Sequence, residues 1–502
     1  MQFLSNFLDT AQAHPKNVAI FWKQKLWTYA KLLDDVDEMV DALVDAGVQP
    51  GDRVSISMQN SPNLAISLLA CMRAGFVAAP INTRFKATET LTALDLIEPT
   101  LHLGSGGMSA DLSGISAQAL PFEARVILAD EGGASQAMKA ARGRGGNRLR
   151  STANDVDAPA LLLPTSGTTG KPKIVAHTLA TLGAITERYG ALGLRDDDVM
   201  LNVGPMIHAG GLFNFFASLV RSGPMVMVGP FEAGAVLNAI EFRRCTWMKA
   251  LPFAFRELID AQHEHPRDVS SLRFCVASGD TAPARLHRDF EATFGLPLHA
   301  CWASTEAATS LSFGAPGDSS YAAIAPGQIV LRELDNEAGD DLALGELLVR
   351  GPHVSPGYWS AGAVQPGRGW FETGDVFQRR EDGTLSFVSR QKNLIIRGGS
   401  NISPLEVEEA LRTHPGVSDA AVYGVPDEQL GERVGALIEL AASSSFSLTD
   451  ILDQLRGQLS EYKVPEIATI VLKLPRNGNG KVDRAAISQI PFTSNVAAKT
   501  DI

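Results

Sequence analysis

The sequence predicts an α/β protein with a large first domain of mixed sheets and packed helices and a small α+β second domain. Two observations indicate this. Helical and strand-like hydrophobic spacings alternate from the N-terminus onward, and a compact new α/β pattern begins after a polar stretch near Ser389. We expect the large domain to span residues 1–389 and the small domain residues 390–502.

The first helix and strand show the pattern. Thr28 precedes a run of helical spacing, and Gly47 follows it as a C-terminal stop. After the turn at 50–52, alternating apolar residues predict a strand that reaches Met58, and the apolar run 64–74 predicts a second helix. The apolar residues of the first helix are Leu32, Leu33, Val36, Met39, Val40, Leu43 and Val44.

The small domain has start signals of its own. Ser403 and Glu406 have the spacing of a capping box, with Pro404 at the first helical position, so we predict a helix through Leu411. The apolar run 420–425 predicts a strand.

Composition and charge exclude several classes of function. The 44 Lys and Arg against 56 Asp and Glu give a net charge of −12, whereas nucleic-acid and anionic-membrane binders are usually basic. The longest apolar span, 203–220, is interrupted by Pro205 and His208, so no membrane helix is expected. Four cysteines without a CxxC spacing, and no secretory signal, predict a cytoplasmic protein. The cysteines are Cys71, Cys245, Cys275 and Cys301.

The most informative segment is a Ser, Thr and Gly-rich stretch that follows an apolar run and ends in Lys-Pro-Lys. Glycines let a backbone approach phosphate oxygens, and hydroxyl, N–H and ammonium groups bind them, so this segment predicts nucleotide binding, with a plain flexible loop as the alternative. The predicted phosphate-binding residues are Thr165, Ser166, Gly167, Thr168, Thr169, Gly170, Lys171 and Lys173.

This segment, TSGTTGKPK, resembles the signature loop of the adenylate-forming (AMP-binding) superfamily, which includes acyl-CoA synthetases. Further segments resemble the motifs of that superfamily in order and spacing, so the resemblance covers nearly the whole chain. They are 302–306, 345–347, 350–352, 357–359, 370–375, 389–395, 398–408 and 475–484.

The resemblance implies a reaction in two steps. A carboxylate attacks the α-phosphate of ATP to give an acyl-adenylate and pyrophosphate, and coenzyme A then displaces AMP. We therefore predict an AMP-forming carboxylic acid–CoA ligase that uses ATP, Mg²⁺ and coenzyme A. Two alternatives stay open: loading of a separate carrier protein, and a non-catalytic nucleotide-binding regulator.

The resemblance also implies a role for individual residues. Lys481 bridges the carboxylate and the α-phosphate, Thr305 contacts phosphate, Glu306 holds Mg²⁺, and His208 closes the acid site. Lys392 is the hinge about which the small domain moves between the two steps. The remaining nucleotide contacts implied are Gly279, Asp280, Thr281, Trp302, Asp375 and Arg390.

The acid itself is not predicted, and neither is the choice between monomer and homodimer. Aromatic residues that could line the acid pocket could equally be core. Lys249 could pair with a second carboxylate of the substrate or be solvated. The aromatic residues are Phe213, Phe215, Phe216 and Trp247.

Overall fold

The computed structural model divides the chain into two compact units. The first contains Met1–Ile329 and Val349–Phe371, and the second contains Val330–Leu348 and Glu372–Ile502. The structure describes residues 2–85, 87–105, 126–129, 155–165, 173–314, 318–333, 344–367, 369–397, 400–427, 429–441, 444, 446–476 and 482–487.

Helices and strands alternate through both units. The α-helices are α1 (Phe3–Ala13), α2 (Tyr29–Asp45), α3 (Pro62–Ala74), α4 (Ala87–Ile97), α5 (Leu179–Glu187), α6 (Ala209–Leu219), α7 (Ala233–Arg243), α8 (Pro252–Glu264), α9 (Ala284–Phe294), α10 (Pro404–Arg412), α11 (Leu448–Arg456) and α12 (Arg484–Ile487). The strands of the first unit are β1 (Val18–Trp22), β2 (Lys25–Thr28), β3 (Arg53–Ser57), β4 (Val77–Pro80), β5 (Leu101–Ser105), β6 (Val126–Ala129), β7 (Pro159–Thr165), β8 (Lys173–Thr178), β9 (Met200–Asn202), β10 (Met225–Met227), β11 (Trp247–Ala250), β12 (Phe274–Ser278), β13 (Leu298–Ser304), β14 (Ala308–Phe313), β15 (Ser320–Ala323), β18 (Gly357–Ser360) and β19 (Ala363–Pro366). Those of the second unit are β16 (Ile329–Glu333), β17 (Leu344–Val349), β20 (Phe371–Arg379), β21 (Leu385–Arg390), β22 (Ile395–Arg397), β23 (Ser400–Ile402), β24 (Val417–Asp427), β25 (Gly431–Leu440) and β26 (Ile467–Val471).

The first unit contains two sheets. In one, the strands follow the order β15-β14-β13-β12-β11-β9-β10-β1-β2, and those from β13 to β1 are parallel. In the other, the order is β19-β18-β8-β7-β4-β3-β5-β6, with β8 antiparallel to β7. Helices between parallel strands cover such sheets, which agrees with the predicted α/β class.

The second unit also contains two groups of paired strands. One has the order β16-β17-β20-β21, and the other has β23-β22-β25-β24 with β26 added beside β25. In the latter group, β24 and β25 form a long antiparallel pair from Val417↔Leu440 to Asp427↔Gly431. The predicted strand at 420–425 lies within β24 and is confirmed.

Local signals in the sequence fix the first helices as predicted. The Thr28 hydroxyl accepts a hydrogen bond from the Lys31 N–H at the start of α2, and α3 has Pro62 at its first position. Gly75 ends α3 with a left-handed φ of 75°, a conformation that glycine adopts without a Cβ clash.

The predicted capping box of α10 forms only in part. The Ser403 hydroxyl accepts from the Glu406 N–H at 3.3 Å, as expected for a helix cap. The Glu406 carboxylate instead accepts from the Lys463 ammonium at 2.7 Å, because a charge-assisted hydrogen bond is stronger than one to a neutral backbone N–H. The helix therefore begins where predicted, with half of the predicted cap.

Burial follows the apolar pattern of the sequence. The main core cluster includes Leu32, Val36 and Leu43 of α2 together with Phe215 and Phe216 of α6. All four cysteines are buried and carry no disulfide. Over the described residues, none of the helices combines the length and apolarity that a membrane span requires.

Candidate active site

The carboxyl ends of neighbouring parallel strands bring several predicted residues to one sheet edge of the first unit. Strand β12 pairs in parallel with both β11 and β13, so the three strands end at the same edge. Gly279 follows β12 with a φ of 84°, and a Cβ there would lie 3.0 Å from the Leu251 side chain. Glycine is therefore required for this turn. Asp280 is exposed, and its carboxylate accepts from the Thr281 N–H at 2.9 Å.

Thr305 and Glu306 lie in the tight turn that joins β13 to β14. Both are half-buried, whereas Trp302, within β13, is buried. The Ser304 hydroxyl accepts from the Ala307 N–H at 2.9 Å. This hydrogen bond fixes the turn and with it the direction of the two predicted phosphate and metal residues.

His177 forms a hydrogen bond to the backbone of this turn. It is fully buried, and its Nε2 donates to the Thr305 carbonyl at 2.8 Å, while its Nδ1 lies 3.3 Å from the Thr181 hydroxyl. Burial lowers the pKa of His177 to about 4, although the hydrogen bond to Thr305 opposes this shift. The imidazole is therefore neutral at neutral pH, and it positions Thr305 through the backbone.

A chain of three side chains connects Glu306 to the base of the predicted phosphate loop. The Tyr358 hydroxyl donates to Glu306 Oε1 at 3.1 Å, and the Lys173 ammonium lies 4.9 Å from the centre of the Tyr358 ring. Burial, together with the Glu306 charge, raises the pKa of Tyr358, so the phenol stays protonated and remains a donor.

Thr165 and Lys173 pair across β7 and β8, and the Thr165 hydroxyl donates to the Lys173 carbonyl at 3.2 Å. The ends of the predicted phosphate loop are thereby held together. The other predicted loop residues lie outside the described residues: Ser166, Gly167, Thr168, Thr169, Gly170 and Lys171.

His208 occupies the N-cap position of α6 and is half-buried. The segment before it is closely packed, because a Cβ on Gly211 would lie 2.5 Å from the Gly204 carbonyl oxygen. Asn60 holds the same segment by accepting from the Met206 N–H at 2.7 Å. The four aromatic residues that could line the acid pocket are all buried, and Phe213 contacts the His177 ring edge-on at 5.4 Å.

In the second unit, the predicted ribose residues Asp375 and Arg390 face each other across β20 and β21. The Arg390 Nε lies 3.0 Å from Asp375 Oδ1, and the Asp375 side chain is 6% exposed while that of Arg390 is 50% exposed. Gly374 precedes the carboxylate with a φ of 69°, and its N–H donates to Glu346 at 2.9 Å. This network presents a fixed carboxylate beside a cation that solvent can reach.

Lys392, the predicted hinge residue, is exposed in a short 3₁₀ helix that follows β21. Burial and the neighbouring Arg390 charge lower the pKa of Lys392, and Asp375 opposes this effect. Arg390 and Asp375 therefore act electrostatically, in opposite directions, on Lys392.

Lys481 lies outside the described residues, but both flanks of its segment are ion-paired within the second unit. Arg476 and Val482 form an isolated β-bridge, Arg476 pairs with Asp419 at 2.5 Å, and Arg484 pairs with Glu408 at 2.8 Å.

Comparison with known proteins gives the family. Residues 7–359 match the model of AMP-binding enzymes, and residues 406–481 match that of the AMP-binding enzyme C-terminal domain. The chain belongs to the AMP-binding enzymes. The predicted adenylate-forming superfamily is therefore confirmed, as is an AMP-forming acid–CoA ligase as the class of enzyme.

This AMP-binding enzyme resembles proteins of diverse substrates along its whole length. It is 31% identical to an oxalate–CoA ligase of Arabidopsis thaliana over 92% of this chain and 93% of that protein. It is also 31% identical to an indoleacetate–CoA ligase of Aromatoleum aromaticum, over 99% of both. The crystal structure of ATP-bound MatB from Rhodopseudomonas palustris matches with a TM-score of 0.85 and 26% identity, covering 97% of this chain and 98% of that one.

Two residues of this geometry have no role predicted from the sequence, His177 and Tyr358. Their partners lie far away along the chain, so local patterns do not reveal the contacts. For Tyr358, the Gly-Tyr-Trp segment is the one signal in the sequence.

Proposed function

We propose that this AMP-binding enzyme activates a small carboxylic acid with ATP and transfers the acyl group to coenzyme A, using the predicted residues in their predicted roles. One observation supports this most directly. Lys173, Tyr358, Glu306 and Thr305 form a continuous set in the first unit, from the base of the phosphate loop to the turn after β13. That set combines a cation, hydroxyls and a carboxylate, the groups that bind a polyphosphate and its metal ion.

In the first step, two anions must approach each other. The acid carboxylate attacks the α-phosphorus, a P–O bond forms, and pyrophosphate leaves with the electron pair of the broken P–O bond. Positive charge at the α-phosphate stabilises this transition state, and we assign that role to the Lys481 ammonium. Thr305 donates to phosphate oxygen, and Asp375 accepts from the ribose hydroxyls with Arg390 beside it.

The residues at Glu306 fit a magnesium ion. The carboxylate is half-buried, Tyr358 occupies Oε1, and Oε2 carries no hydrogen bond from any described residue. A hard cation prefers such a carboxylate oxygen. Mg²⁺ bound there would neutralise phosphate charge. Tyr358 and the turn between β13 and β14 hold the Glu306 carboxylate in position.

In the second step, the thiolate of coenzyme A attacks the acyl carbon and AMP leaves. We propose that residues 390–502 act as a mobile lid that turns about Lys392, removes Lys481 and admits the thiol, so that one site serves two reactions. The first residues of this lid lie in the second unit, next to the Asp375–Arg390 pair. His208 closes the acid site, and Gly279–Thr281 and Trp302 contact the adenine.

The relatives support coenzyme A as acceptor, since they are named as CoA ligases. Their acids differ, because one is named for oxalate and the other for indoleacetate. Unpaired cysteines are typical of a reducing compartment, so we propose that the enzyme acts in the cytoplasm.

The test is a reaction of the purified chain with ATP, Mg²⁺ and a panel of acids, followed by measurement of AMP and of acyl-CoA. Acid-dependent AMP formation with a thioester product is expected for at least one acid. If a thioester forms only when a carrier protein is added, the acyl acceptor is that carrier protein and not coenzyme A. No AMP with any acid would overturn the proposed function.

A further inference from the structure

Lys249 is a buried cation that has no anionic partner among the residues that the structure describes. It lies in β11, is 6% exposed, and donates to the Thr309 hydroxyl at 3.2 Å and to the Tyr189 hydroxyl at 3.5 Å. Among the described residues, no Asp or Glu forms an ion pair with it. Its ammonium also lies 4.9 Å from the centre of the Tyr189 ring, and no described residue accepts a third hydrogen bond from it. An ammonium in this position lacks the counter-charge that buried charges normally have.

The hydrogen-bonding groups that the structure describes around Lys249 are neutral or positive. The Tyr189 hydroxyl donates to the Asn214 side chain at 2.8 Å, and burial raises the pKa of Tyr189, so the phenol is uncharged. Arg188 lies on the other side of Thr309 and donates to the Thr309 carbonyl at 2.6 Å. The other partners of Arg188 are the Gln328 amide and the Ser310 carbonyl, which carry no charge.

The His353 side chain, which lies beside this cluster, is neutral. Its Nε2 lies 3.0 Å from the Ser310 hydroxyl, and burial together with the Arg188 charge lowers the pKa of His353 to about 3. The cluster of Lys249, Arg188 and Thr309 therefore has two positive charges, and the hydrogen-bond partners described for it are neutral. Its electrostatic potential attracts an anion, and the low dielectric around it strengthens that attraction.

This cluster adjoins the elements of the candidate active site within the first unit. Thr309 follows Glu306 by three residues, in the strand that begins right after the turn. Asn214 of α6, the helix that His208 caps, donates to the Lys249 carbonyl at 3.3 Å. Lys249 therefore forms hydrogen bonds to two elements of the candidate site. One is α6, which begins at His208, and the other is β14, which follows the turn that contains Thr305 and Glu306.

We propose that Lys249 binds a second anionic group of the acid, so that the preferred substrates are dicarboxylic acids or acids of similar charge. The inference rests on the proposed function, because it assigns the far end of the same acid site. One carboxylate of the substrate reaches the α-phosphate, and the second accepts the unused N–H of Lys249 and neutralises its charge. Arg188 contributes to the positive potential and does not touch the substrate, since neutral groups already hold its donors.

The experiment compares matched acids on the full chain. Linear dicarboxylates from oxalate to adipate are each paired with the monocarboxylate of the same chain length, and kcat/KM is measured from AMP release. The variants are Lys249→Met, Lys249→Arg and the control Lys25→Met, which removes an exposed lysine of the first unit. Thermal unfolding of each variant is followed in parallel.

The unmodified enzyme is expected to prefer the dicarboxylate in at least one pair by about 10- to 100-fold, the value of a charge-assisted hydrogen bond. Lys249→Met should abolish that preference and change kcat/KM for the monocarboxylate by less than about threefold. Lys249→Arg should restore part of the preference, and Lys25→Met should retain all of it. The Tm of Lys249→Met should not fall, because an apolar side chain of similar size replaces an uncompensated buried charge.

Three results would overturn the inference. They are a preference for the monocarboxylate in every pair, an equal loss on both members of a pair in Lys249→Met, and a large fall in the Tm of that variant with an unaltered preference. In each of these cases AMP still forms, so the proposed function stands. If no acid of the panel yields AMP, the proposed function fails and this inference fails with it.

Discussion

At the scale of single residues, the proposed chemistry depends on how each polar group is held. Glu306 is oriented by Tyr358, Thr305 is oriented by His177, and Asp375 is paired with Arg390. In each case a neutral donor or an opposite charge fixes a group that we propose to bind the nucleotide or its metal ion. Such preorganisation reduces the reorganisation that the reaction itself requires.

Lys481 gives the first prediction at this scale. Lys481→Ala should reduce acyl-adenylate formation by about 100-fold or more, because we assign the ammonium a role in the first step alone. Thioester formation from supplied acyl-AMP should stay within about twofold. The two half-reactions are measured separately, with the exposed Lys473→Ala as the matched control. Equal losses in both half-reactions would contradict the assigned division of labour.

Tyr358 gives the second prediction. Tyr358→Phe removes the hydroxyl that donates to Glu306 and leaves the ring over which Lys173 lies. A hydrogen bond to a charged group is worth about 1.5–3 kcal/mol, so AMP formation at low Mg²⁺ should fall about tenfold. Excess Mg²⁺ should recover part of the loss.

The measurement for Tyr358→Phe is a titration of initial rate against Mg²⁺, with the exposed Tyr462→Phe as control. If the maximal rate falls but the Mg²⁺ concentration that gives half of that rate is unchanged, Tyr358 does not act through Glu306.

At the scale of elements, ion pairs of α10, β24 and the final residues fix both flanks of the Lys481 segment. Arg412 of α10 lies between Glu408 and Asp419, at 3.6 and 2.9 Å. Burial opposes the charge of Arg412, yet the two carboxylates raise its pKa. Glu408 then holds Arg484, and Asp419 holds Arg476. The segment is thus anchored on either side by one buried network.

We predict that Arg476→Met slows adenylation by about tenfold and leaves thioester formation from acyl-AMP within about twofold. One flank of the Lys481 segment loses its anchor, while Asp419 keeps its partner Arg412, so stability changes little. The control is Arg456→Met, which breaks an exposed pair with Asp453 in the same unit. An adenylation rate equal to that of the control would show that this anchor is not needed.

At the scale of the whole molecule, four of the six buried histidines that the structure describes have strongly lowered pKa values, which make stability depend on pH. Burial lowers the pKa of His102, His177 and His299 to about 4, and that of His353 to about 3. In the unfolded chain each titrates near about 6.5. Between these values the unfolded state binds more protons than the folded state, so the free energy of unfolding falls as pH falls.

We therefore predict a loss on the order of 1 kcal/mol for each of these histidines between pH 7 and pH 5. Tm is measured across this range for the whole chain and for His102→Asn, which can still reach Ser55, the partner of His102 at 2.8 Å. The Tm of His102→Asn should fall less steeply between pH 7 and pH 5 than that of the unmodified protein, whatever its value at pH 7. An unchanged slope would mean that His102 takes up its proton without unfolding.

The sequence by itself determined the family, the α/β class and the ends of the first helices, because these depend on local signals. A Thr cap, a Gly stop or an ordered series of motifs acts over a few residues and can be recognised without knowing what lies beside it. The capping box at Ser403 was half right because Lys463, which binds Glu406, lies 57 residues further on.

Only the tertiary structure decided which side chains meet. Tyr358 reaches Glu306 across 52 residues, Lys249 reaches Thr309 across 60, and His177 reaches Thr305 across 128. Strand order in a sheet sets these contacts, and periodicity along the chain does not specify strand order. For Lys249 the sequence left two interpretations open, solvation or pairing with a second carboxylate of the substrate. Its side chain is buried among neutral groups, so it is not solvated, and the structure favours the second interpretation.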